Sequence, residues 1–89
     1  MTTPPTMELV IKTAESTLFV GKAASLSSVN STGPFDILPY HENFISLVQD
    51  HVVVTKETGE SITFPITSKG ILRVGSNKAA LFLGVEVVR

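Results

Sequence analysis

The chain contains no cysteine and no tryptophan, only one tyrosine and few alanines, and no surplus of charge of either sign. Without cysteine it can form neither a disulfide framework nor a thiolate nucleophile, and no zinc site can be built on sulfur. That absence is compatible with a cytosolic compartment. Seven basic side chains against eight acidic ones give a net charge of -1, and Lys12, Lys22, Lys56, Lys69, Arg73, Lys78 and Arg89 are scattered along the sequence. The electrostatic footprint of nucleic-acid binding is therefore missing. The opening Met1-Thr2-Thr3-Pro4-Pro5-Thr6 has no basic cluster and no apolar stretch, and no apolar run approaches the roughly eighteen residues of a spanning helix. Neither a signal peptide nor a membrane span is expected.

What the chain does have is β-branched residues. Valine, isoleucine and threonine together make up 27 of the 89 residues against five alanines, a balance that suits a pleated, half-buried backbone rather than a helix. The length allows one domain, and a domain this small has little stability to spare for strained catalytic geometry. The prolines at 4 and 5 make residues 1–6 an expected disordered or extended tail, with the domain running over 7–89.

Along that domain Met7, Leu9 and Ile11 alternate with Glu8, Val10 and Lys12, the period of a half-buried strand. Leu18-Phe19-Val20 reads as a short second element ending at Gly21. Ala24 to Val29 reads as a further strand whose core face the alternation does not decide. Asn30-Ser31-Thr32-Gly33-Pro34 has turn chemistry. Phe35 to Leu38 is apolar apart from Asp36 and must turn at Pro39; Tyr40-His41-Glu42-Asn43 is irregular, and Phe44 to Val48 returns to the core. Val52 to Lys56 and Ser61 to Thr67 flank Glu57-Thr58-Gly59-Glu60 as a hairpin, with Ile62, Phe64 and Ile66 on one face. Pro65, opposite them, marks an edge or a bulge. Ile71 to Val74, the turn Gly75-Ser76-Asn77-Lys78 and Ala79 to Leu83 make a second hairpin, and Gly84 interrupts the last run before Val85 to Val88. Short strands separated by regular turns predict an all-β sandwich or barrel.

The stretch Phe35-Asp36-Ile37-Leu38-Pro39-Tyr40-His41 resembles the apolar-Gly-Ile-Leu/Tyr-Pro-Gly-His signature of the amino-terminal domain of the ATP synthase epsilon subunit. Thr13-Ala14-Glu15 with Phe19-Val20-Gly21 looks like that family's first turn and its following glycine, and Gly33 falls on the glycine before the signature. Ser68-Lys69-Gly70-Ile71-Leu72-Arg73-Val74 is similar to its Ser-Gly-Gly-Ile/Phe-Leu-Glu-Val, so the resemblance covers Met7 to about Glu86. It implies a flattened β-sandwich of about ten short strands. Tyr40 and Asn43 stand where the signature has glycine and proline, so Tyr40 must avoid positive φ or bear strain. Pro34 replaces a frequent acidic residue, Lys69 the first of two glycines, and Gly84-Val85-Glu86 a frequent Ala-Asp-Thr. The family's two-helix carboxy-terminal domain, which in some members binds ATP, is expected to be absent.

By the same resemblance the chain would be a non-catalytic rotor subunit that docks on the gamma subunit and the c-ring at the cytoplasmic face of an energy-transducing membrane. Gly33, Pro34, Phe35, Tyr40, His41, Glu42 and Asn43 would form the docking end. The residues on their own support plainer roles: His41 as a polar loop residue bonded to backbone, His51 as solvated turn punctuation, Phe35 and Phe44 as core, and Tyr40 alone free to face a partner. The two histidines with Asp36, Glu42 and Asp50 lack metal-ligand spacing, no serine sits in a nucleophile motif, and the glycines occur singly rather than as a phosphate cradle. No cofactor, metal, small-molecule substrate or catalytic residue is expected. The rival is a stand-alone interaction module that keeps the sandwich without the ATPase.

Overall fold

The structure, a computed structural model, describes residues 5–85. Six strands follow one another: β1 (Met7–Lys12), β2 (Thr17–Asn30), β3 (Gly33–Ile37), β4 (Phe44–Lys56), β5 (Ser61–Gly75) and β6 (Lys78–Val85), with no helix among the described residues. They hydrogen-bond in the order β1-β6-β5-β4-β2-β3, and β1 also pairs with β2, so the sheet closes on itself and leaves β3 attached outside the ring. All neighbours are antiparallel except β1 and β6, which run parallel.

The expected all-β class holds, but the strands number six rather than about ten. The reason is that β2, β4 and β5 are long and bend at irregularities instead of ending there. The first half of β2 pairs with β1 and the second half with β3 and β4. Likewise Phe44–Val48 of β4 pairs with Gly70–Val74 of β5, whereas Asp50–Thr55 pairs with Ser61–Ile66. Each long strand thus serves both layers of a sandwich. Layer one is the start of β2, β1, β6, the end of β5 and the start of β4; layer two is β3, the end of β2, the end of β4 and the start of β5.

The bends have local causes. Opposite β4, Ala23 meets Lys56 while Ser25 meets Thr55, which leaves Ala24 as one extra residue. That insertion moves the inward set from Ala23 to Leu26 and Ser28, so no single alternation could describe the strand. Between Val48 and Asp50 of β4 the partner shifts from Gly70 to Ile66, and Asp50 takes φ 69°. Gly70 is buried here, and a Cβ on it would lie 2.9 Å from Leu83 Cδ2 and 3.0 Å from Val48 Cγ2. Gly84, with φ 76°, is the extra residue of β6 between Leu83 and Val85, a bulge whose left-handed backbone favours a residue without Cβ.

Both hairpins form as the sequence implies. Ser76 and Asn77, with φ 51° and 58°, make the two-residue turn from Gly75 to Lys78, and positive φ at both central positions is what the twist of a tight hairpin demands. Met7, Leu9 and Ile11 face the core together with Leu26, Ile37, Val48, Val52, Val54, Leu72 and Leu81. Ile66 is buried and Ile62 and Phe64 are half-buried, while Thr63 and Pro65 point out. Pro65 precedes the irregular stretch Thr67–Lys69.

Three expectations need correction. Phe44 to Val48 is only half a core segment, because Phe44, Ser46 and Val48 turn inward and Ile45 and Leu47 outward. His51 is a strand residue beside the β4 bend rather than turn punctuation, and its carbonyl accepts the hydroxyl of buried Ser28 at 2.8 Å. Leu18-Phe19-Val20 is not a separate element but the start of β2. The tail reading of 1–6 and the run Val85 to Val88 fall largely outside the described residues; Thr6, which is described, offers its carbonyl to Asn77 Nδ2 at 2.9 Å.

Candidate functional site

The connection from β3 to β4 spans 38–43 and closes one end of the sandwich. Pro39 cannot donate a hydrogen bond, and the amide of His41 reaches back to the Leu38 carbonyl at 3.2 Å, which tightens the chain into a turn. Within that turn Tyr40 adopts φ 64°. It therefore bears the strain of a residue with a Cβ in the left-handed region, about 1 to 2 kcal/mol. The amide of Tyr40 donates to Asn77 Oδ1 at 2.8 Å, and this bond holds the strained residue in place.

Asn77 links three segments. Its Nδ2 donates to the Thr6 carbonyl, its own carbonyl accepts the Glu8 amide at 3.2 Å, and its Oδ1 takes the Tyr40 amide. The entry to β1, the β3–β4 turn and the tip of the β5–β6 hairpin are so fastened through one side chain and its backbone. Asn43 completes the contact with that hairpin, since its Oδ1 sits 3.0 Å from where a Cβ on Gly75 would be. The sequence marks Asn77 only as a turn residue; its partner lies 37 positions away and leaves no local signal.

The docking set read from the sequence divides in two. Tyr40, His41, Glu42 and Asn43 come together at this end. Tyr40 is 75% exposed with its ring free of the core, while His41 Nδ1 shares a hydrogen bond with the Glu42 carbonyl at 2.8 Å and its ring stands edge-on to Phe44 at 5.7 Å. Phe35 joins them through Phe44, with centroids 5.4 Å apart. Both phenylalanines are half-buried against the core, as their plainer reading implies. Gly33 and Pro34 lie instead at the tip of the β2–β3 hairpin, the far end of the five-residue β3, roughly 13 Å along the strand from Ile37. There Asn30 accepts the Thr32 amide at 3.0 Å and donates to Ser46 Oγ at 3.2 Å, which ties the tip to β4.

Two neighbouring features were not singled out by sequence. Ile45 and Leu47 face outward from β4, and Val20 from β2; Ile45 and Val20 are 72% and 70% exposed. Next to the Tyr40 turn the outer surface of layer one is concave, forming a groove of about 910 Å³ whose rim includes Asn43 and Phe44. Among the described residues, nothing at this end brings a nucleophile, a base and an orienting group together. What it offers is contact surface: an aromatic side chain on a fixed backbone, flanked by a carboxylate and an imidazole.

The family model for the ATP synthase delta/epsilon chain β-sandwich domain matches residues 6–83. Among curated protein sequences none matches the chain significantly. Among solved structures, a chain of the Euglena gracilis mitochondrial ATP synthase, in its OSCP/F1/c-ring assembly in rotational state 1, superposes with a TM-score of 0.82 at 16% identity. The match covers 93% of this chain and 53% of that one. A chain of the Tetrahymena thermophila mitochondrial ATP synthase central stalk and c-ring gives a TM-score of 0.73 at 11% identity, covering 92% of this chain and 66% of that one. At these identities the structures speak for the fold alone, and the chain spans between half and two thirds of these two chains.

Proposed function

The chain belongs to the ATP synthase delta/epsilon family, by its β-sandwich domain over residues 6–83, and from that membership we propose that it is a non-catalytic central-stalk subunit of an F-type ATP synthase. In this role it docks on the gamma subunit and the c-ring and helps couple ion-driven rotation to ATP synthesis. It acts as a peripheral component of the membrane-bound complex, on the face that carries the catalytic head, which in a bacterium is the cytoplasmic face. The observation that carries this reading is the family match, which runs from the residue before β1 into β6 and so takes in nearly every strand. The mechanical requirement is a body that keeps its shape under load, and a sheet closed by pairing β1 to both β2 and β6 supplies it.

Within this reading the Tyr40–Asn43 turn, with Phe35 beside it, meets one partner, and the Gly33–Pro34 tip meets the same partner or its neighbour. A desolvated aromatic anchor commonly contributes about 2 kcal/mol or more to binding, whereas a rim carboxylate usually contributes less than about 1. Co-expression with its own gamma subunit and c-ring should yield a stable complex. Tyr40→Ala should weaken that complex by roughly 30-fold or more while the melting temperature of the free chain does not fall. Glu42→Ala should have a smaller effect that shrinks with added salt. A folded chain that associates with neither subunit would instead be a stand-alone interaction module, a reading favoured by the replacement of glycine and proline at Tyr40 and Asn43.

A further inference from the structure

Layer two is an open sheet whose segments follow in the order β3, end of β2, end of β4, start of β5. Among the described residues, Gly33–Ile37 pairs only with β2 and Ser61–Ile66 only with β4, so each has one side of its backbone without a ladder partner. Of the chain's five prolines, Pro34 stands in the first of these segments and Pro65 in the second, and no other described strand contains one.

The ladder shows which way each proline nitrogen points. Along a strand between antiparallel neighbours, successive residues turn their N–H and C=O to one side and then to the other. The Lys56 amide donates to the Glu60 carbonyl at 2.8 Å, so Lys56, Val54 and Val52 turn to β5, and Glu60, Ile62 and Phe64 turn to β4. Ser61, Thr63 and Pro65 therefore face the free edge. On β4, Val53 and Thr55 turn to β2 instead, where they meet Ser27 and Ser25. That leaves Leu26, Ser28 and Asn30 turned to β3, opposite Ile37, Phe35 and Gly33, and puts Pro34 and Asp36 on the other free edge. Each proline thus costs its own ladder no bond and removes a donor from the side that a further strand would need.

We propose that Pro34 and Pro65 guard the two open edges of layer two, keeping a second copy of this chain from adding to the sheet strand against strand. The edge of β5 is the more exposed to that hazard. Ile62 and Phe64 are only half-buried, so a copy laid along it would cover apolar surface as well as pair backbone. Around a twofold axis at Thr63, the copy would set Thr63 against its own counterpart and Ser61 against Pro65 twice. At both of those places a Ser61 carbonyl would lose water and find no amide. The edge of β3 offers less, since Asp36 is its one inner position with an amide turned outward and its carboxylate already holds the Ser27 hydroxyl. The edges of layer one are blunted without proline, the start of β2 by the extra residue Leu18 and Phe44–Val48 by its shortness before the bend. The inference goes beyond the rotor reading and does not depend on it, because it concerns the chain by itself and Pro65 lies outside the docking set.

The test is sedimentation equilibrium of the chain and of Pro65→Thr at matched concentrations, with amide hydrogen exchange followed residue by residue. In the unaltered chain the amides of Ser61 and Thr63 should exchange faster than those of Ile62 and Phe64, which are turned to β4. Pro65→Thr restores the missing donor on both copies and should tighten self-association at least about tenfold. The Ser61 and Thr63 amides of that variant should become protected as its concentration rises. Pro34→Thr should act in the same direction and more weakly. Self-association of Pro65→Thr no stronger than that of the unaltered chain would overturn the proposal, as would association that leaves Ser61 and Thr63 exchanging freely. Protection of those two amides in the unaltered monomer would overturn it as well, and this measurement decides the matter even where Pro65→Thr fails to fold.

Discussion

The bend of β4 and β5 and the turn at Tyr40 both hold a residue with a side chain at positive φ, Asp50 in the first and Tyr40 in the second, yet they are built on opposite principles. At the bend, atoms leave no room: Gly70 is enclosed by Leu83, Val48 and the Phe82 carbonyl, and Ile66 opposite Asp50 is 8% exposed. At the turn the surroundings are open, and order comes from hydrogen bonds to Asn77. A region shaped by exclusion should lose stability when disturbed, and a region shaped by directed bonds should lose its local form first. The fold depends on the one, and a docking surface can be carried by the other.

That contrast can be broken at four places. The largest effect should come from Ile66→Ala, about 2 to 4 kcal/mol in denaturant unfolding, against less than about 0.5 for Thr63→Ala on the outward face. Equal losses at the two would contradict the inward assignment of Ile66. Gly70→Ala should follow with about 1 to 3 kcal/mol, because the added Cβ has backbone as well as side chains against it; for a domain of this size that lowers the melting temperature by about 4 to 8 °C per kcal/mol.

The next effect belongs to the turn. Asn77→Gly keeps the backbone conformation and removes the side-chain bonds, so it should cost about 1 kcal/mol and speed hydrogen exchange at the Tyr40 amide while the amides of β4 stay protected. Exchange that rises equally in β4 would show that the turn is part of the core unit. The smallest effect should be a gain. Tyr40→Gly relieves the left-handed strain and should leave stability unchanged or raise it by up to about 1 kcal/mol, while removing the exposed ring. A clear loss would mean that the ring packs in a way its 75% exposure denies.

Much of this could be read from residues alone, where one rule governed a whole segment. The alternation of Met7 to Lys12, the hairpin at Glu57 to Glu60 and the turn at Ser76-Asn77 each follow from a local pattern, and the structure keeps all three. The reading failed where an inserted residue changed the rule partway. Ala24 switches the inward parity of β2, and the bend at Asp50 makes one strand out of what looks like two with a turn at His51. Pro39 located the turn, and the family signature left Tyr40 either to avoid positive φ or to bear strain, of which the structure shows the second. The signature could not reveal Asn77, because the partner of Tyr40 is set by the return of the chain through two further strands, β4 and β5. The gathering of Lys12, Lys22, Arg73 and Lys78 was equally hidden: scattered in sequence, they come to one layer only when β1, β2, β5 and β6 lie side by side.

The parallel pairing of β1 with β6 has a consequence for how the body yields under force. Five rungs, from Glu8 with Lys78 to Lys12 with Phe82, join strands that point the same way. Tension applied between the entry of β1 and the exit of β6 therefore pulls along the ladder and strains all five rungs at once, in shear. An antiparallel pair loaded at its open end would unzip, one bond after another. Pulled at these two points, the domain should resist as a clasp and then give way in a single step.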